Sequence, residues 1–258
     1  MNTKIDISRY DIMSTKIPSV FDRFKIAHIS DIHSRPAHGT AEIIDSEKPD
    51  IIAITGDIVH DGKIPVTPAY ELIGELIKIS PVYFITGNHD VWRTDLKRIF
   101  GDFCELGVVF LDNSRVEIER GGEKISLYGV SDPFSKLPKL ISRNIKTAFS
   151  QLPDFNGYKI LMFHRANLFD EIKDYDFDLI LSGHMHGGQI RIPRLGGVLA
   201  PSSALLSGKR MFFPKYTAGR VDLGGKTMII NRGISNTLPV PRLGNRPEIG
   251  IITLNALK

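Results

Sequence analysis

The chain predicts an α/β fold in which parallel strands alternate with helices. Three observations carry that prediction. Short β-branched runs, nearly continuous in apolar residues, recur along the 258 residues, the pattern of strands covered on both faces. Up to residue 90, stretches with apolar residues at helical spacing separate these runs, and a β-α-β order implies parallel strands with helical crossovers. Finally, Asp, His and Asn cluster at the ends of the runs, where open α/β sheets place their sites.

Taken in order, residues 25–31, 50–57 and 82–88 read as the first three strands. Residues 108–111, 115–119 and 124–130 follow, and Gly121-Gly122 closes the last two into a hairpin. Strands at 159–164 and 178–184 come next, then a hairpin of 220–224 and 226–232 around Gly224-Gly225, and a final strand at 248–254. Helices are expected at 40–47, 69–78, 144–152 and 167–173. Another runs from Thr94 as N-cap through Leu106, with Gly107 as its stop. Residues 187–218 are rich in Gly, Pro and Ser, with Leu205, Leu206, Met211, Phe212 and Phe213 among Arg and Lys. They read as a long loop, and its apolar-basic stretch from Arg191 to Lys215 is a lid or substrate wall by preference, with a lipid-facing patch or a covered loop as the alternatives. No repeat or linker breaks the pattern, so residues 1–258 are expected to form one domain.

Composition narrows the function. A hydrophobic fraction of 42% supports a packed core and excludes a disordered chain. The net charge of +4 and pI near 9.1 suit anionic substrates. No run of Lys or Arg and no aromatic-basic interleaving marks a nucleic-acid surface. The single cysteine, Cys104, excludes an intrachain disulfide and a Cys-based zinc site, and reads as a plain core or near-surface thiol. The N-terminal MNTKIDISRYDIMSTK lacks a signal peptide's apolar core, and nothing approaches the roughly 20 apolar residues of a membrane span. The expectation is a cytoplasmic protein with at most peripheral membrane contact.

Five motifs carry the chemistry: Asp31-Ile32-His33, Gly56-Asp57, Gly87-Asn88-His89-Asp90, the lone His164, and Gly183-His184-Met185-His186. Singly they are ordinary. Gly-Asp and Gly-Asn are turn dipeptides, and a histidine ending an apolar strand is usually a satisfied core residue. Together they collect five of the eight histidines. Asp31 and His33 are two apart, as are His184 and His186, so on an extended end each pair points one way. The mixture of imidazole, carboxylate and amide suits Mn²⁺, Fe or Zn²⁺ better than Mg²⁺ or Ca²⁺. Asp57 is the candidate to bridge two such ions. Two carboxylates against two divalent cations leave excess positive charge, which favours hydroxide and a phosphate-bearing substrate.

The ordered series from Asp31 to His186 resembles the calcineurin-like metallophosphoesterase superfamily. Gly187-Gly188-Gln189, and Arg232-Gly233 before a closing strand, are similar to a bacterial phosphodiesterase-like branch that includes membrane-associated members. The resemblance implies a four-layer αββα sandwich. It implies that Asp31, His33 and His186 bind one ion, that Asn88, His164 and His184 bind the other, and that Asp57 bridges them. His89 would protonate the leaving group, with Asp90 holding its imidazole. Ser34-Arg35-Pro36 and Arg165-Ala166-Asn167 depart from the branch's usual sequence where substrate would be contacted.

Arg35 and Arg165 abut ligands, and a guanidinium fork suits phosphate oxygens, so both are candidate substrate contacts. His60, close after Asp57, is a third. His28 lies mid-strand and should pack, and His38 is a loop residue. The leading function is two-metal hydrolysis of phosphodiesters or pyrophosphate-linked small molecules. Its competitors are a lipid-linked pyrophosphate hydrolase at a membrane surface, suggested by residues 205–213, a nuclease, and a non-catalytic module on the same fold.

Overall fold

The computed structural model describes residues 4–62, 64–135, 137–199, 212–235 and 241–257. Along the chain run β1 (Asp6–Ser14), β2 (Phe24–Ile29), α1 (Thr40–Glu47), β3 (Ile51–Thr55), α2 (Thr67–Leu76) and β4 (Val82–Ile85). A single turn, α3 (Asn88–Val91), precedes α4 (Leu96–Glu105), β5 (Val109–Phe110), β6 (Ser114–Arg120) and β7 (Glu123–Val130). Then come α5 (Ile141–Ser150), β8 (Lys159–Arg165), α6 (Phe169–Ile172), β9 (Leu179–Gly183), β10 (Arg191–Ile192) and β11 (Gly196–Gly197). β12 (Gly219–Leu223), β13 (Lys226–Ile230) and β14 (Glu248–Ala256) complete the order.

The strands form two six-stranded sheets, β1-β14-β2-β3-β4-β5 and β12-β13-β9-β8-β7-β6, plus the small β10-β11 pair. In the first sheet β2, β3, β4 and β5 are mutually parallel, and β14 runs antiparallel to β2. In the second, β7, β8, β9 and β13 are parallel, with β6 and β12 as antiparallel edges.

Period-2 alternation sorts the side chains into layers. On β2, Ile26 enters a core shared with the second sheet, while Ala27 and Ile29 face the helices. On β8, Ile160 and Met162 face the first sheet, whereas Leu161 and Phe163 meet Ile145 and Phe149 of α5. Ile44 of α1, Leu72 and Ile73 of α2, and Ile99 and Phe103 of α4 cover the outer face of the first sheet. Helix, sheet, sheet, helix is therefore the layer order, the αββα sandwich expected.

Most expected elements are present, and the differences have physical reasons. Gly121 and Gly122, at φ +58° and +82°, make the tight turn between β6 and β7. α2 starts at Thr67, earlier than expected, because Pro68 fits a first turn. The helix after residue 166 is a 3₁₀ turn followed by the short α6. β1 was not foreseen: only Ile12 along it is buried, so its sequence lacks the apolar run of a covered strand. The long loop contains the β10-β11 hairpin, while Leu205, Leu206 and Met211 lie outside the described residues. No helix among the described residues is long and apolar enough to cross a membrane.

Candidate metal centre

β2, β3, β4 and β9 stop just before their functional residues and the backbone then turns sharply, while His164 lies within β8, next to its end at Arg165. Asp31, His33, Asp57, His184 and His186 all sit at positive φ, between +46° and +74°. Non-glycine residues adopt that region only when the surroundings hold them there. Here the surroundings do so. Asp31 N–H donates to Gly56 O at 3.1 Å, His33 N–H to Asp57 O at 2.9 Å and Ser34 N–H to Ile58 O at 2.9 Å. Ser235 closes on Asp31 O through both its N–H and its hydroxyl. Gly87 lies so close to Asp57 that an added Cβ would stand 2.2 Å from its Oδ1. At Gly183 the same atom would stand 1.9 Å from Ser30 Oγ.

These turns bring two buried clusters together. In the first, His186 Nε2 lies 3.3 Å from Asp31 Oδ1 and 3.3 Å from His33 Nε2. In the second, His164 Nε2 lies 3.3 Å from Asp57 Oδ2 and 3.2 Å from His184 Nδ1. Asp57 Oδ2 is also 3.7 Å from His33 Nε2, which places this carboxylate between the clusters. Each cluster has ligand atoms within reach of a single cation.

The donor set fits divalent metal. His164 Nδ1 donates to Thr55 O at 2.7 Å, which makes Nε2 the nitrogen turned toward the cluster and the atom a cation would take. Asn88 is fully buried, and neither of its side-chain atoms has a hydrogen-bond partner. Buried polar atoms left without partners are costly and call for an ion or water.

The electrostatics agree with a cation cradle. Burial disfavours the charged form of Asp57, yet His164 and then His33 outweigh it and hold the carboxyl well below its usual range. Burial likewise opposes Asp31, and His186 and His33 overcome it. Burial would lower His164, but the Asp57 carboxylate reverses this and raises it to about 10. Burial lowers His186 to about 3. His28 is also pushed down to about 3 by burial and packs against Thr55 Oγ1 at 2.8 Å, an inward core histidine as expected.

The expected contact between Asp90 and His89 is corrected. Asp90 accepts from Asp57 N–H and Gly87 N–H at 2.7 Å each and from Val59 N–H at 3.0 Å, all away from the imidazole. Neighbouring helical positions do not face one another. It is Asp61 that meets His89, through Oδ1 and the imidazole Nδ1. His89 N–H in turn donates to Asp57 Oδ1 at 2.7 Å. Asp61 was missed; its one signal is its nearness in sequence to Asp57.

Of the three candidate substrate contacts, His60 lies at the site, its ring 4.8 Å from that of His89 and 5.4 Å from that of His33. Arg35 is exposed. Arg165 departs from the expectation: it is fully buried and forms a two-pronged pair with Asp132 at 2.6 and 2.8 Å. Alternation explains this, because His164 takes the inner face of β8 and its neighbour turns away. Sequence reasoning also missed Arg242, whose Nη2 lies 3.1 Å from His186 Nδ1, and Trp92, whose ring packs 4.8 Å from that of His89.

Comparison with known proteins agrees with this geometry. The family model for calcineurin-like phosphoesterases matches residues 24–188. The uncharacterized metallophosphoesterase YkoQ of Bacillus subtilis is 30% identical over 239 residues, covering 88% of this chain and 82% of its own. The phosphodiesterase YaeI of Escherichia coli is 26% identical over 243 residues, covering 90% and 82%. Among solved structures, the sulfate thiohydrolase SoxB of Thermus thermophilus superposes with a TM-score of 0.50 at 12% identity. That match covers 91% of this chain and 57% of the longer SoxB chain, and speaks to the fold alone. A sandwich with two metal-binding clusters at its seam defines a metallophosphoesterase. The chain belongs to the calcineurin-like phosphoesterase family and is a metal-dependent phosphoester hydrolase.

Proposed function

We propose that this protein hydrolyses phosphodiesters or pyrophosphate-linked small molecules at a dinuclear, manganese-preferring centre, within one domain spanning residues 1–258. The observation that carries this is the pair of buried clusters with Asp57 between them. Asp31, His33 and His186 would hold one ion; Asn88, His164 and His184 the other; and Asp57 would touch both. Bound divalent ions supply Lewis acidity and bring the pKa of water towards neutrality.

The chain's own residues do the rest. His89 stands at the mouth, fixed by its backbone bond to Asp57 and by Asp61 on Nδ1. With Nδ1 so engaged, Nε2 is the atom that delivers a proton to the departing oxygen. Asp90 holds the turn in which Asp57 and Gly87 meet, a structural duty. His60 offers a second imidazole beside the leaving group, and Arg35 a cation at the rim. Arg165 braces the end of β8 through Asp132 instead of contacting substrate. The phosphodiesterase name of YaeI supports the diester preference.

The test is hydrolysis of bis-p-nitrophenyl phosphate by metal-stripped protein titrated with Mn²⁺. Turnover that requires the metal and falls in His89→Ala is expected. A metal-loaded protein inert on this diester but active on a monoester would overturn the diester preference.

A further inference from the structure

Eleven large apolar residues are exposed among the described residues, and five of them lie on one surface beside the metal centre: Ile192, Leu195, Phe212, Phe213 and Leu243. Leu195, Phe212, Phe213 and Leu243 are each more than half exposed. Backbone pairing knits them together. Leu195 N–H donates to Ile192 O at 3.1 Å, Arg191 N–H to Leu243 O at 2.9 Å, and Phe213 N–H to Val198 O at 2.8 Å. Leu199 and Phe212 form a further bridge. Soluble surfaces rarely gather such side chains without a partner.

The segments that carry these side chains are basic, although Lys215 pairs with Asp170 at 3.3 Å, Arg246 with Asp6 at 3.5 Å, and Arg242 turns inward to His186 Nδ1. Residues 187–199, 212–218 and 241–246 contain no Asp or Glu, and they carry Arg191, Arg194, Lys215, Arg242 and Arg246. Arg191 and Arg194 border an open cleft of about 390 Å³ with Ile192, Pro193 and Gly244. The surface is also keyed to a ligand of the centre. Asn245 Nδ2 donates to His186 O at 2.7 Å and to Gln189 O at 3.1 Å, and Arg191 Nη1 donates to Gly187 O at 3.0 Å.

We propose that this surface docks the protein on an anionic lipid bilayer. Its apolar side chains would enter the boundary between headgroups and acyl chains while the cations meet anionic headgroups, the combination that holds proteins at a membrane interface. A second copy of the chain is disfavoured as occupant, because a two-fold contact would set Arg191 and Arg194 at the cleft against their own counterparts. Docking in this orientation brings the metal centre to the headgroup layer. The docking does not depend on the substrate class proposed above.

The experiment is flotation of the metal-loaded protein with phosphatidylglycerol vesicles and with phosphatidylcholine vesicles, at low and high salt. Wild type is expected to float with the anionic vesicles, and less so as salt rises. Arg194→Glu and Phe213→Ser should each lower partitioning about tenfold, in line with the worth of one cation or one buried apolar side chain at such a surface. Both variants should keep the wild-type melting temperature and the wild-type rate on a soluble aryl diester. Failure to float with anionic vesicles at low salt would overturn the proposal, as would flotation that neither substitution weakens. So would a concentration-dependent dimer that the same substitutions dissolve.

Discussion

The two sheets contribute different atoms to the centre. The first sheet supplies the oxygens, from Asp31, Asp57 and Asn88 at the ends of β2, β3 and β4, together with His33. The second supplies imidazoles only, from His164 on β8 and His184 and His186 beyond β9. Neither fully buried cluster comes from one sheet alone: one pairs Asp31 and His33 with His186, and the other pairs Asp57 with His164 and His184, whereas the half-buried imidazoles of His60 and His89 group with His33 on the first sheet's own loops. A cation at either place therefore ties the sheets together. Hard oxygen donors on one side and borderline nitrogen donors on the other are the ground for the Mn²⁺ preference proposed above.

Removing the carboxylate that lies between the clusters should break this most severely. Asp57→Asn is expected to lose activity by more than the about 100-fold that follows from losing a group behind a metal ligand, with the bound metal falling from two ions toward one by elemental analysis. His89→Ala leaves both clusters intact and should lower kcat by about 10²–10⁴-fold, with metal content unchanged. Its loss should shrink on substrates with more acidic leaving groups, which need less protonation. Asp61→Ala sharpens the assignment of His89's partner. It should cost about 10–100-fold in kcat, while the conservative Asp61→Glu restores part of it; a rate unaffected by Asp61→Ala would return the search to another partner.

The linkage between metal and protons gives a smaller effect. His164 is raised to about 10 by Asp57, so the metal-free protein carries a proton there at neutral pH. A cation on Nε2 must displace it. Loading at pH 7 should therefore release protons into a weakly buffered solution, and metal affinity should weaken as the pH falls. The same raised pKa favours the metal-free fold fully below the unfolded histidine value of about 6.5; this contribution fades as the pH rises through about 10. Metal loading should stabilise the fold by about 2.7 kcal/mol for each site filled at a hundredfold excess over its Kd, read as a higher melting temperature that chelation reverses.

The same division of atoms accounts for what could be read from the sequence. Apolar runs that end in Asp, Asn or His announced both the strands and the cradle, because burial on two faces leaves a strong one-dimensional signal and the motifs sit at its stops. β1 gave no such signal, since an edge strand with little buried surface has no apolar run to show. The pairing of Asp90 with His89 misled because adjacency in sequence is not adjacency on a helix. Asp61 and Arg242 reach the site from a loop and from a segment far along the chain, and loop geometry has no period to read. Arg165 stood beside a ligand in sequence but on the opposite side of its strand.

The most direct test of a centre shared between the sheets is calorimetric Mn²⁺ titration of metal-stripped protein, with turnover of bis-p-nitrophenyl phosphate followed in the same samples. Two ions per chain are expected, with activity rising as the second site fills, and one ion at most in both His186→Ala and His184→Ala. A single ion in wild type, or full occupancy in variants lacking the second sheet's imidazoles, would contradict it.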